Sequence, residues 1–340
     1  MVSQFRLDTM HLVDKGVFGR FLEVINTWER PWKLSAPVVQ DISAVLLQLG
    51  TTRPTDFNRP QRSFEHYPKY KCTELRRLLR YDGLVAFKGR LHPRIYQQYL
   101  LLQSSMYILS SLYLLPLYVD HAENFLSSFV EHCQQVYGEQ FVTYNVHSLT
   151  HFESECRAHG EAHSFSAYAY ENELKTIKDA LKSGYKPLYQ LAVRESRKRK
   201  IDESVILEKQ EHVVQLFNHH TDPGETEPGR QYREIKVNGT TFKLGDKDSY
   251  FITTSEKIVL LQNIVCQRGK VLFRGLAFLQ KRDMYDFAMR SSLLGIVEVS
   301  HLNEAIESFS VESVFGKCWL MEDRNCFVAV PLTHTTPLLH

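Results

Sequence analysis

No charged residue occurs across residues 95–119, "IYQQYLLLQSSMYILSSLYLLPLYV", and a run of that length has to be hidden from water. It is long enough to cross a bilayer. Its three Gln, four Ser and Pro116 would be costly in lipid, whereas neighbours in a helical bundle can satisfy them. The stretch is therefore expected inside a protein core, with no membrane partner. A chain of 340 residues, 43% apolar and 12% aromatic, has the material for that core and length enough for two domains.

The texture around this run is helical. Met10, Val17, Phe18, Phe21, Leu22 and Ile25 recur at helical spacing behind Asp8, which sits at the mouth of the helix. Further helices are expected over 35–50, 73–81, 93–110, 117–137 and 146–159, and another after Gly184. The segment "NHHTDPGETEPGRQ", 218–231, concentrates Pro, Gly and acids and predicts a linker. Beyond it, "REIKVNGTTFKL" places Asn238-Gly239 between alternating runs, a type I′ hairpin signal. Short β-branched and aromatic runs continue, so 232–340 predicts a small, partly closed β barrel.

Forty-one Lys+Arg against thirty-nine Asp+Glu give a net charge of +2, so a polyanion would have to meet a local patch. One candidate is the loop in which Arg59, Arg62 and Lys69 alternate with Phe64, Tyr67 and Tyr70, a pattern that suits backbone phosphates and stacked bases, or simply a solvated loop. Another is Arg197, Lys198, Arg199 and Lys200, which read as a nuclear-import signal or as a solvated helix end. The six cysteines contain no CxxC pair and point to a reducing compartment, and the first residues lack the pattern of a secretory signal. His147, His151, Cys156, His159 and His163 lie close in sequence, but their spacing matches no standard zinc module, so zinc is not expected.

In "FSAYAYENELKTIKDAL", helical geometry puts Glu171, Lys175, Lys178 and Lys182 on one narrow face, beside an apolar stripe of Leu174, Ile177 and Leu181. By itself this is an ordinary first-turn glutamate with a lysine four residues on.

Taken in order, "LDTMHLVDKGVFGRFLEV", "YNVHSLTHF" and "SFSAYAYENELKTIK" carry more. Asp8, Met10 and His11, then Tyr144, Asn145 and His147, then Phe165, Ser166, Ala167, Tyr170, Glu171, Asn172, Ile177 and Lys178 resemble the later part of the CACTA (En/Spm-like) DNA transposases of animal transposable elements. The resemblance covers most of residues 6–195. It implies an α+β fold: an RNase H-like core over 1–217, interrupted by a large helical insertion at about 30–160, and then the β barrel. It also implies cleavage and joining of DNA with two Mg²⁺ ions held by three acids, because hard oxygen ligands suit Mg²⁺ and paired ions stabilise both reacting oxygens. Asp8 would be the second acid and Glu171 the third. Lys175, Lys178 and Lys182, with Arg59 and Arg62, would meet DNA phosphates in the nucleus.

One departure matters: no acidic residue precedes Asp8, so the first catalytic Asp is missing and this chain is expected to bind DNA without transposing it. The alternative is a non-enzymatic nuclear module of transposon origin that binds chromatin or protein. The later residues, including Gly316, Lys317 and Cys318, weakly resemble a BAH domain. Tyr250, Phe251, Tyr285 and Trp319 could then line a recognition cage, or fill a barrel core.

Overall fold

The computed structural model describes residues 6–28, 32–181, 186–194, 196, 214–324 and 326–338, and the fold is α+β. A wide π-helical segment, Met10–Phe18, runs directly into α1 (Gly19–Thr27), and together they bury Val13, Val17, Phe18, Phe21, Leu22 and Ile25. Pro37 stands in the first turn of α2 (Ala36–Leu49), where its missing N–H is not needed. Then come α3 (Cys72–Arg77), a π-helical turn at Leu78–Asp82 and α4 (Gly83–Phe87).

The uncharged run forms α5 (Pro93–Leu109) and the start of α6 (Leu115–Tyr137). Gln98 Oε1 accepts the Tyr137 hydroxyl at 2.6 Å and the Ser105 hydroxyl reaches the Ala122 carbonyl, so the two helices lie antiparallel. Gln103 Nε2 donates to the Arg80 carbonyl at 3.1 Å. Gln98, Gln103 and Ser105, which lipid would have penalised, thus find partners in the bundle, while the buried Ser110 hydroxyl has none among the described residues. Among the described residues no helix is long and apolar enough to cross a membrane. After Gly138 come α7 (Tyr144–Ser148), α8 (Phe152–His159) and α9 (Tyr168–Ala180).

Among the described residues no strand precedes Val214. The strands are β1 (Val214–His220), β2 (Arg230–Val237), β3 (Thr240–Lys243), β4 (Tyr250–Thr253), β5 (Ile258–Gln267), β6 (Lys270–Asp283), β7 (Val297–Leu302), β8 (Glu307–Ser310), β9 (Val314–Asp323) and β10 (Cys326–Pro331). Every pairing is antiparallel, and following them from β4 through β5, β6, β7, β10 and β9 leads back to β4. Asn238 at φ 46 and Gly239 at φ 86 close the β2–β3 hairpin with Val237 opposite Thr240, as the dipeptide predicts.

The expected linker at 218–231 is corrected. It comprises the end of β1, a turn and the start of β2, and its Glu225 is buried against Arg274 Nε at 3.0 Å, with Asn263 donating to the same carboxylate. Pro, Gly and acids mark a connection here, but one folded onto the sheet.

One apolar cluster joins the helices to the sheet. Phe18, Phe21, Phe87, Tyr99 and Tyr107 share it with Tyr285, Trp319, Met321, Val328 and Val330. Polar contacts cross the same seam: the Tyr107 hydroxyl donates to the Pro331 carbonyl, and the Thr333 N–H donates to the Tyr81 hydroxyl at 3.2 Å. Lys317, wholly buried, places its ammonium between Asp248, at 2.6 Å, and Asp56 of the loop after α2. Asp248 also accepts the backbone N–H and the hydroxyl of Thr55. Phe251 and Trp319 are fully buried and Tyr285 hydrogen-bonds Gln103, so these aromatics are core rather than a surface cage.

Candidate functional site

Asp8 stands at the mouth of the first helical segment. Its Oδ1 accepts the N–H of Met10 at 3.2 Å, and its Oδ2 accepts the N–H of His11 at 2.9 Å and lies 2.6 Å from His11 Nδ1. That is helix capping. The same Oδ1 also accepts the N–H of Ala167 at 2.6 Å and the Ser166 hydroxyl at 3.2 Å. Burial pushes its carboxyl up, but the Ala167 and His11 N–H groups, the His11 ring and the Met10 N–H outweigh burial and hold it below the usual carboxylate range.

Glu171 lies in the first turn of α9, exposed, and its N–H donates to the Ala167 carbonyl at 2.9 Å. The fold therefore brings the Asp8 carboxylate to the peptide unit that starts the helix carrying Glu171. A carboxylate has about four lone-pair positions, and five donors already converge on Asp8. As placed, Asp8 has no oxygen position left for a hard cation such as Mg²⁺.

Asp14 fixes α9 a second time. It is fully buried on the π-helical segment, and its Oδ2 accepts the Tyr168 hydroxyl at 2.9 Å while its Oδ1 has no hydrogen-bond partner among the described residues. Burial pushes its carboxyl up to about 6, against the opposing pull of Arg80, Arg76 and the Tyr168 hydroxyl.

Lys175 and Lys178 are exposed on α9, a helix with no buried residue. Lys182 and the basic run Arg197, Lys198, Arg199 and Lys200 lie outside the described residues. Arg59 is exposed. Arg62 is held within the fold: its Nε and Nη2 each sit 2.7 Å from the Glu74 carboxylate, its Nη2 also donates to the Lys69 carbonyl, and its guanidinium lies over the Tyr70 ring at 5.0 Å. A bidentate pair of this kind holds the loop to α3.

Among the described residues the histidines and cysteine clustered in sequence do not bring three ligand atoms together. Cys156 is buried, with its thiol pushed up to about 12 by burial; His147 and His151 pack edge to face at 5.5 Å; His163 Nδ1 lies 3.5 Å from Arg76 Nη1. Among the described residues the side chains that could converge on a metal are Glu298, Asp323 and Cys326. There Lys88 pairs with Glu298 and with Asp323 at 3.4 Å, and Arg282 pairs with Glu298. Two cations therefore already occupy the carboxylates.

Residues 207–332, which span the strands from β1 to β10, match the model of a family described as a domain of unknown function (DUF8592). No curated protein and no solved structure matches the chain.

Sequence reasoning missed Arg80, Tyr168 and the clamp at Lys317. Arg80 lies in a stretch that reads as an amphipathic helix, where an arginine is assigned to the wet face. No local pattern reveals partners contributed by residues far along the chain.

Proposed function

We infer that this is a transposable-element-derived nuclear protein that binds DNA without cutting it. In this reading the helical region descends from an RNase H-like transposase core, and the circuit of strands is a small barrel of BAH-like type. The observation that carries the reading is the state of Asp8. The acid that the resemblance assigns to a metal is spent on capping one helix and closing the start of another, while Lys175 and Lys178 stand in solvent. A binding surface retained without its metal ligands is what such an arrangement supports.

The test is a duplex-binding titration at several salt concentrations, run beside a nicking assay with and without Mg²⁺. Salt-sensitive binding with no Mg²⁺-dependent nicking is expected; nicking would overturn the non-catalytic assignment.

A second reading has its own support. Tyr170 is 71% and Leu174 60% exposed, and they stand one helical turn apart on α9 with Ile177 following. Such a stripe suits a protein partner, as in the chromatin-binding alternative. Leu174→Asp would then abolish partner capture and leave DNA affinity unchanged.

A further inference from the structure

A cavity of about 450 Å³ opens at the seam between the helices and the sheet, walled by Arg76, Arg80, Glu161 and His163 on one side and by His334 and Pro337 on the other. We propose that it binds a small phosphomonoester, with the phosphate on Arg80 and the body against Phe57 and Tyr81.

Arg80 carries the inference. The residue is 5% exposed, and its Nε has no acceptor among the described residues. A buried guanidinium is costly unless an anion meets it, and its planar fork of donors suits phosphate oxygens. Among the described residues no neighbouring acid hydrogen-bonds the Arg80 guanidinium. Asp14 attracts it through charge alone and gives one oxygen to the Tyr168 hydroxyl. Asp56 is taken by Lys317 and by His334 Nε2 at 3.2 Å. Glu161 accepts the His163 N–H at 2.6 Å, and burial pushes its carboxyl up.

The mouth adds a second fixed charge. The Arg76 guanidinium rests over the Tyr168 ring at 4.5 Å and reaches His163, leaving the outer end of the cavity cationic. Burial, then Arg76, Arg80 and His334, all lower the basicity of His163, as expected where positive potential has gathered. With Asp56 offset by Lys317, two arginines stand against the Glu161 carboxylate on the cavity wall.

Size and walls narrow the class. The volume lies within the roughly 300–1,000 Å³ of small-molecule sites and exceeds what a lone inorganic anion needs. Phe57 and Tyr81 meet edge to face at 5.2 Å on one wall, and Leu112 and Pro337 add apolar surface. A charged head with a flat or apolar body matches that division.

The experiment is calorimetric titration of the full chain with inorganic phosphate, adenosine 5′-monophosphate and adenosine. The monophosphate should bind at least about tenfold tighter than phosphate, and adenosine should show no measurable binding. Arg80→Met keeps the stem and removes the charge, and should weaken the monophosphate by roughly 10–100-fold, the loss of one or two charge-assisted hydrogen bonds. If Arg80→Met does not fold, Arg76→Gln at the mouth should still weaken binding about fivefold. The salt dependence of DNA binding should not move in either variant, which separates this site from the DNA-binding reading. Absence of phosphate and monophosphate binding at millimolar concentration overturns the proposal, as does wild-type affinity in both variants.

Discussion

Asp8 Oδ1 accepts the N–H of Ala167 at 2.6 Å, so one carboxylate caps the first helical segment and also closes the start of α9. Asp8→Ala removes both contacts and should lower unfolding free energy by about 1–3 kcal/mol in chemical denaturation. Because the folded carboxyl is held below its usual value, this contribution is present above the unfolded value and is lost as the pH falls through the lower folded value. Millimolar Mg²⁺ should leave the melting temperature of the wild type unchanged. A Mg²⁺-dependent rise that both Asp8→Asn and Glu171→Gln abolish would instead reveal a shared cation.

Asp14 should make the protein less stable as the pH rises. Its folded value of about 6 lies above the unfolded value of 3.8, so the native state binds the extra proton and stability declines between about pH 4 and 6. The shift corresponds to about 3 kcal/mol. Asp14→Asn should flatten this part of the profile and raise the melting temperature at pH 7. A fall at pH 7 would mean that the ionised form has a partner.

Lys317 should be the most sensitive single charge. Lys317→Ala leaves Asp56 and Asp248 buried without their cation and should cost about 3–5 kcal/mol. Asp56→Asn should be milder at neutral pH and should change the acid limb. Burial raises the Asp56 carboxyl, but His334 and Lys317 outweigh it and bring it down to about 2, so its stabilisation is present above pH 4 and lost toward pH 2. Urea titrations at pH 2, 4 and 7 read both effects.

Lys175→Glu with Lys178→Glu should leave stability unchanged, since neither side chain is buried, and should reduce the magnitude of the salt slope of DNA binding by about 2, roughly 0.9 for each phosphate contact. An unchanged slope would place the DNA contact elsewhere.

How much of this was legible in sequence depended on how local each cause is. Helices α1, α2, α5 and α6 follow from spacing and caps within one or two turns, and the Asn238-Gly239 hairpin from two residues that tolerate positive φ. The role of 218–231 was not legible, because its composition states that the chain turns but not what the turn lies against; Arg274, which receives Glu225, belongs to β6. Arg62 read as a surface cation for the same reason, its Glu74 partner sitting twelve positions on. For the candidate site, sequence order brought Asp8 and Glu171 into one hypothesis, and the fold places Asp8 at the foot of the Glu171 helix. That the bond runs to the Ala167 amide, and that Asp14 holds Tyr168, depends on packing between segments far apart in the chain.

The apolar seam that unites Trp319 and Met321 with Phe18, Phe87 and Tyr107 has a hereditary consequence. Parting the two portions would turn large greasy side chains outward, which ties the volumes on the two flanks to each other. In diverging descendants, changes of volume on the helical flank should be matched by opposite changes on the strand flank.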